Sequence, residues 1–265
     1  MIEVVFRLLQ KPRAPIDISS ISPSIIAGYT INEVGSIAIR YGNRVLKAKD
    51  LFEIDCYNHI PGDPKLIKII FTGMGTEKLW FVGKDMEEGI IEVHGNVGPF
   101  AGYEMKGGCL IVRGCARECL GVSMENGIIE VHGEAGSFVG AKPFFSNSTG
   151  MRGGRIVIRG NAQHYVGFCM RGGYVEIFGD VGDFLGTKMS GGTIVVHGSS
   201  GAYPGLEMIN GLIIICKGVE DMDTGFEALE IQDYIQKPYS HSFRAFVGDR
   251  LANGFGLILL LNGCK

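Results

Sequence analysis

Histidine, arginine and glutamate recur at fixed places along this chain. From these residue types a metal site, a general acid–base pair or an anion cradle would be built. The fifth residue after a recurring glycine reads His94, Arg113, His132, Arg159, Phe178, His197 and Cys216. Imidazoles are good zinc ligands, but Arg113 falls between His94 and His132, and a permanently charged guanidinium repels a cation. Those two histidines would also stand about 9.6 Å apart, two strand spacings, too far to share an ion. The third residue reads Glu92, Glu130 and Glu176, alternating with Ile111, Val157 and Val195. Glu92 and Glu130, again about 9.6 Å apart, would sit at the upper edge of the carboxylate separation in inverting glycosidases. Neither has a sequence-evident pocket, and no aspartate cluster accompanies them.

Nucleophile chemistry has no firmer footing. G-x-S-x-G is absent, and Cys115 and Cys119 have no obvious base nearby. Met86, Met105, Met124, Met151, Met170, Met189 and Met208 form a thioether ladder. Soft-metal binding is one reading of it; in-register packing inside a repeat is the bland one and is preferred, because an unbranched thioether fills irregular core space. The many glycines suggest a phosphate cradle only weakly, since no helix follows them and no Lys-Ser/Thr pair closes a loop.

The elements that position these residues repeat every nineteen positions. Gly89, Gly108 and Gly127 are 19 apart, and Gly154, Gly173, Gly192 and Gly211 continue the step after one gap of 27. The gap is one block plus eight residues, placed at Lys142 to Thr149. After each glycine the second and fourth residues are aliphatic, from Ile91 and Val93 through to Ile213 and Ile215. That period of two predicts a strand of five or six residues with one buried face. Such strands, recurring in one register with no helix between, predict an all-β fold: a parallel β-helix of about seven coils. A six-residue acyltransferase repeat does not fit the period.

The rest of each block agrees. Phe81, Phe100, Phe138, Tyr165, Phe184 and Tyr203 share one slot, with Cys119 in the remaining place, and Gly83, Gly102, Gly121, Gly140, Gly167, Gly186 and Gly205 follow two residues later. Sharp corners and close backbone approach explain the glycines.

Composition places the array in a folded chain. The 265 residues include 41 glycines but only 9 prolines, which excludes collagen and proline-rich disorder, and the net charge of −3 argues against a nucleic-acid partner. Neither the run Ile2 to Leu9 nor Leu257 to Leu261 resembles an export signal or a membrane span. A cytoplasmic location is expected. Cys56, Cys109, Cys115, Cys119, Cys169, Cys216 and Cys264 then read as reduced thiols, and Asn147-Ser148-Thr149 would be glycosylated only on secretion.

The core motif G-x-x-M-x-x-G-x-(I/L/V)-x-(V/I)-x-G runs from Gly83 through Met86 and Gly89 to Gly95 and starts again at Gly102, Gly121, Gly167 and Gly186. Ser148 and Lys217 each replace one glycine in the imperfect copies. In these motifs the chain resembles the C subunits of formylmethanofuran dehydrogenase, whose right-handed β-helix is similar to the C-terminal domain of the large subunit of glutamate synthase. The resemblance covers about 83 to 218. It implies a subunit of a cytosolic oxidoreductase complex that reversibly reduces CO2 and attaches it to methanofuran as N-formylmethanofuran, the first step of methanogenesis from CO2. It implies partners carrying molybdopterin or tungstopterin, 4Fe–4S clusters and dinuclear zinc: an amidohydrolase-like subunit, pterin-binding subunits and iron–sulfur subunits. In that family the C subunit is a packing element, so no catalytic, cofactor or metal residue transfers to this chain. Two alternatives stand: the corresponding subunit of a bacterial formyltransferase/hydrolase complex, and a stand-alone glutamate-synthase-like β-helix binding module.

An open stack of strands needs its edges covered. Residues 1–65 are assigned as an N-terminal cap, 66–218 as the repeat array and 219–265 as a C-terminal cap. The eight-residue break carries Phe144 and Phe145, two adjacent aromatics expected to anchor a neighbouring subunit or, in the bland reading, to fold back over their own flank.

Overall fold

The computed structural model describes residues 1–56, 59–143, 149–229 and 242–262. The alternation of aliphatic and polar residues becomes a succession of short strands. Those labelled are β1 (Ile2–Leu8), β2 (Ile16–Asp17), β3 (Ala38–Tyr41), β4 (Arg44–Lys47), β5 (Phe52–Cys56), β6 (Ile67–Thr72), β7 (Leu79–Trp80), β8 (Ile90–Val93), β9 (Cys109–Val112), β10 (Ile128–Val131), β11 (Arg155–Ile158), β12 (Tyr174–Ile177), β13 (Ser190–Val196), β14 (Ser199–Ser200), β15 (Asn210–Ile215), β16 (Gly218–Val219), β17 (Glu227–Leu229), β18 (Ser242–Gly248) and β19 (Gly256–Asn262). Thirteen of them form one sheet, ordered β17-β18-β19-β15-β13-β12-β11-β10-β9-β8-β6-β1-β5. From β6 to β15 every neighbour is parallel, and each block lies in register on the next: Ile91 beside Leu110, Leu110 beside Ile129, Ile129 beside Ile156.

Strands in the middle of the array are four residues long rather than the expected five or six. Each begins after a glycine in the left-handed region, such as Gly89 at φ 82° or Gly108 at φ 73°. A second glycine, Gly95 or Gly114 in these blocks, stands two places past the last strand residue and confines the extended stretch. A second row of parallel bridges runs Val97–Ala116–Ala135–Ala162–Val181–Ser200 and continues as the β14–β16 pair. Between the two rows lies a continuous apolar interior that includes Ile91, Val93, Ile129, Val131, Ile194 and Val196.

The corners differ from a glycine-only account. Phe81, Phe100, Cys119, Phe138, Tyr165, Phe184 and Tyr203 themselves have φ between 57° and 65°. So do most residues preceding the methionines, including Asp85, Glu104, Ser123 and Cys169 at φ 53° to 57°. Left-handed non-glycine residues are uncommon and cost free energy unless packing fixes them. Here the corner backbone is held by bonds to the adjacent blocks: the Phe100 N–H donates to the Glu118 carbonyl, and the Gly102 N–H to the Val82 carbonyl.

The flanks complete the sheet. β1 pairs parallel with β6 and antiparallel with β5, so the N-terminal segment contributes strands as well as cover. A four-stranded sheet, β4-β3-β2-β7, packs beside it. Thr30 caps the short helix Ile31–Gly35 through a reciprocal bond with Glu33. At the other end β19 pairs parallel with β15 and antiparallel with β18. In the segment assigned as the C-terminal cap, β17 (Glu227–Leu229) pairs antiparallel with β18, and residues 230–241 lie outside the described residues.

Candidate functional site

The outward face of the large sheet collects the charged residues. Glu92 is the most enclosed of them, its side chain only 5% exposed, because Lys68, Arg113 and His94 close around it. Lys68 Nζ lies 2.8 Å from one carboxylate oxygen, while Arg113 Nε at 2.6 Å and His94 Nε2 at 3.1 Å meet the other. Burial pushes the Glu92 carboxyl up, but the bonds and charges of Lys68 and Arg113 outweigh it and hold the group at about 2. Glu92 is thus a fixed anion and unsuited to donating a proton. Glu176 repeats the pattern with Arg155 at 2.7 Å and His197 at 3.1 Å; burial raises its carboxyl, and these two partners outweigh that and leave it lowered. Glu130 takes Arg159 at 3.0 Å. Arg113 also approaches His132, with 3.5 Å between Nη1 and Nε2, so a guanidinium occupies the space a metal shared by His94 and His132 would need.

The repeat residues lie on the opposite, inner side. All seven ladder methionines, Met86 through Met208, are fully buried. Their methyl groups explain the glycines paired with them. A Cβ placed on Gly108, Gly154, Gly173, Gly192 or Gly211 would stand 2.7 to 2.8 Å from the Cε of Met86, Met124, Met151, Met170 or Met189, respectively. Each of these five methionines therefore caps the glycine that opens the strand of a neighbouring block. At Gly83, Gly121, Gly140, Gly167, Gly186 and Gly205 the backbone is left-handed, and an isoleucine methyl of a later block packs over Gly121.

Cys115 is exposed and stands in a row with Asn96, Asn161 and Asp180. In this row each side chain accepts from the backbone of the next block: Asn96 Oδ1 from the Cys115 N–H at 2.8 Å, Cys115 Sγ from the Glu134 N–H at 3.4 Å, Asn161 Oδ1 from the Asp180 N–H at 2.9 Å. The Cys119 thiol, in the aromatic slot, is pushed up to about 11 by burial and by Glu118, the wrong direction for a nucleophile. Among the described residues no three His, Cys, Asp or Glu side chains converge as metal ligands, and no helix is long and apolar enough to cross a membrane. Phe144 and Phe145 lie outside the described residues. The described residues on either side of the break are held to the same neighbouring block: the Lys142 and Gly150 N–H groups donate to consecutive carbonyls, Phe168 and Cys169.

Sequence spacing aligned the aromatics but did not show that they form a half-exposed outer stripe. Phe81 and Phe100 stack at 5.0 Å and 11°, Phe138 and Tyr165 at 5.0 Å and 4°, Tyr165 and Phe184 at 4.9 Å and 11°. Tyr103 meets Phe81 and Phe100 edge-on, and burial raises its hydroxyl to about 12, with Glu104 adding to the effect.

No family model matches the chain. It is 35% identical over 105 residues to the C subunit of the tungsten-containing formylmethanofuran dehydrogenase 2 of Methanothermobacter wolfeii, and to that of Methanothermobacter marburgensis. Each match covers 38% of this chain and 37% of the relative, so the chain matches little more than a third of the length of these curated relatives. The fold match is far longer. A chain in the X-ray crystal structure of the formyltransferase/hydrolase complex from Methylorubrum extorquens, in complex with methylofuran, superposes with a TM-score of 0.82 and 26% identity, covering 97% of this chain and 98% of that one.

Proposed function

We propose that this chain is the non-catalytic structural subunit of formylmethanofuran dehydrogenase, the complex that reversibly reduces CO2 and attaches it to methanofuran as N-formylmethanofuran. Its architecture in this reading is a right-handed parallel β-helix of about seven coils, residues 66–218, capped by 1–65 and 219–265. The observation that carries the proposal is the 35% identity with formylmethanofuran dehydrogenase C subunits, with the end-to-end likeness to one chain of a multi-chain complex supporting a subunit role. The chemistry of the outward sheet face agrees, since Glu92, Glu130 and Glu176 are each tied up in ion pairs.

Pterin, iron–sulfur and zinc groups would reside on partner subunits. The described residues of this chain offer no ligand set that fits them. The purified chain alone is expected to show neither redox nor hydrolase activity and to carry no stoichiometric zinc, iron, molybdenum or tungsten; metal analysis finding any of these would overturn the structural role.

The full-length fold match favours a second reading, the C-type subunit of a formyltransferase/hydrolase complex that does not reduce CO2. Native mass spectrometry of the complex purified from its own source separates the two. A pterin-binding subunit with tungsten or molybdenum supports the dehydrogenase, an amidohydrolase-like subunit without one supports the second reading, and a chain that purifies alone rejects both.

A further inference from the structure

Among the described residues, no further ring stacks beyond Phe81 at the N-terminal end of the aromatic stripe. The interior rings Tyr165 and Phe184 each have a neighbour on both faces, Tyr165 between Phe138 and Phe184, and Phe184 between Tyr165 and Tyr203. Phe81 is the first rung: Phe100 covers it from the following block. Toward the N-terminal cap, Phe81 instead lines a cleft of about 270 Å³ together with Pro15, Asp17, Arg40, Gly42 and Trp80. Asp17 and Arg40 face each other across the β2–β3 pairing. Asp17 is engaged through Oδ1 by the Ser19 N–H, whereas exposed Arg40 pairs with no acid among the described residues.

The size and chemistry of this cleft select its occupant. Aromatic rings bind one another in offset stacks at the separations seen along this stripe. At about 270 Å³ the cleft stands at the small end of ligand pockets, roughly 300 to 1,000 Å³, and has room for a single inserted aromatic side chain. An unpaired guanidinium at its wall favours a carboxylate beside that ring. We propose that the cleft receives an aromatic side chain of a partner polypeptide, stacked on Phe81 as the next rung, with an adjacent acidic residue meeting Arg40. This rests on the subunit reading and deepens it by naming one contact through which a partner docks.

The chain contains a single tryptophan, and Trp80 lines the cleft, so its emission reports occupancy directly. The full-length chain is titrated with acetyl-Phe-Glu-amide, acetyl-Leu-Glu-amide and acetyl-Phe-Gln-amide. The expected result is a saturable change in Trp80 emission, with the leucine peptide binding about three- to tenfold more weakly, the span that ring stacking adds beyond burial. Arg40→Ala should abolish the preference for Glu over Gln. Phe81→Asn, which removes the ring while keeping a residue tolerant of a left-handed backbone, should abolish the preference for Phe over Leu, with circular dichroism checking that the fold persists. Equal binding of the Phe and Leu peptides, no saturable change, or tighter binding of free benzoate than of any peptide would overturn the proposal. Because the titration uses the chain alone, it can fail while the complex still assembles, and assembly can fail while it succeeds.

Discussion

At the scale of single residues, the methionine and glycine ladders are one device. The Met170 methyl lies 2.8 Å from where a Cβ on Gly192 would stand, so Gly192 cannot gain a side chain while Met170 keeps its place. Met170→Asp would put an unpaired charge among fully buried apolar groups, at a cost of several kcal/mol, and is expected to prevent folding; Met170→Leu, of similar volume, should cost less than about 1.5 kcal/mol. Thermal melts of the pair check this, and an aspartate variant melting like the parent would break the register of the repeat. Glu92 makes the complementary polar case. An unperturbed glutamate titrates at 4.5 and Glu92 at about 2, so its stabilising contribution is full above 4.5 and drains away as pH falls toward 2. Lys68 is raised above 10.5, chiefly by its bond to Glu92, so its contribution is full below that value and fades at higher pH. At neutral pH Glu92→Gln should lose about 1 to 3 kcal/mol, because two cations lose a charged acceptor. On acidification from about pH 5 to pH 3 the parent's melting temperature should fall faster than the variant's, closing the gap; a gap constant with pH would mean that the ion cluster contributes nothing.

At the scale of the element, each block is held to its neighbours by backbone bonds in the strands and by a row of side chains at one corner. Asn96, Asn161 and Asp180 present oxygen acceptors to the next block at 2.8 to 2.9 Å, while Cys115 presents sulfur at 3.4 Å. Sulfur is a weak acceptor. Cys115→Asn should therefore stabilise the stack by about 0.5 to 1.5 kcal/mol, the net worth of one such bond, read as a raised melting temperature with unchanged circular dichroism; a destabilised variant would show that the cysteine slot has a shape of its own. The same corner shows what sequence patterning conveys and what it does not. The strand period was legible because alternation of Ile91, Glu92 and Val93 is local, and the break after Lys142 because it interrupts a constant step. Left-handed Phe81 and Phe100 were not, since aromatic residues carry no preference for that conformation. Their backbone is set by bonds from adjacent blocks, which a single block does not encode.

At the scale of the whole molecule, the stack is bounded by elements that lack the repeat. Lys68, one of the cations closing around Glu92, lies on β6 before the first full block, so the ion cluster could not be read from the ladders alone. The second outward cluster, around Glu176, recruits Arg155 and His197 from the blocks on either side and is likewise a product of stacking. The C-terminal boundary makes the most direct prediction. β19 lays Leu257, Ile258, Leu259 and Leu260 in parallel register on Leu212 through Ile215, and Phe226, Ile258 and Leu260 close the end of the apolar interior. Ending the chain after residue 218 would leave β15 as an unpaired parallel edge beside newly exposed Met208, Ile213 and Ile215. Such an edge recruits other chains, and each large apolar side chain returned to water forfeits about 1.5 to 3 kcal/mol. The truncated chain is expected to aggregate or to melt far below the parent, measured by size-exclusion chromatography and thermal scanning. A monomer with the parental melting temperature would show instead that the repeat array closes its own end and that β18 and β19 serve something other than its stability.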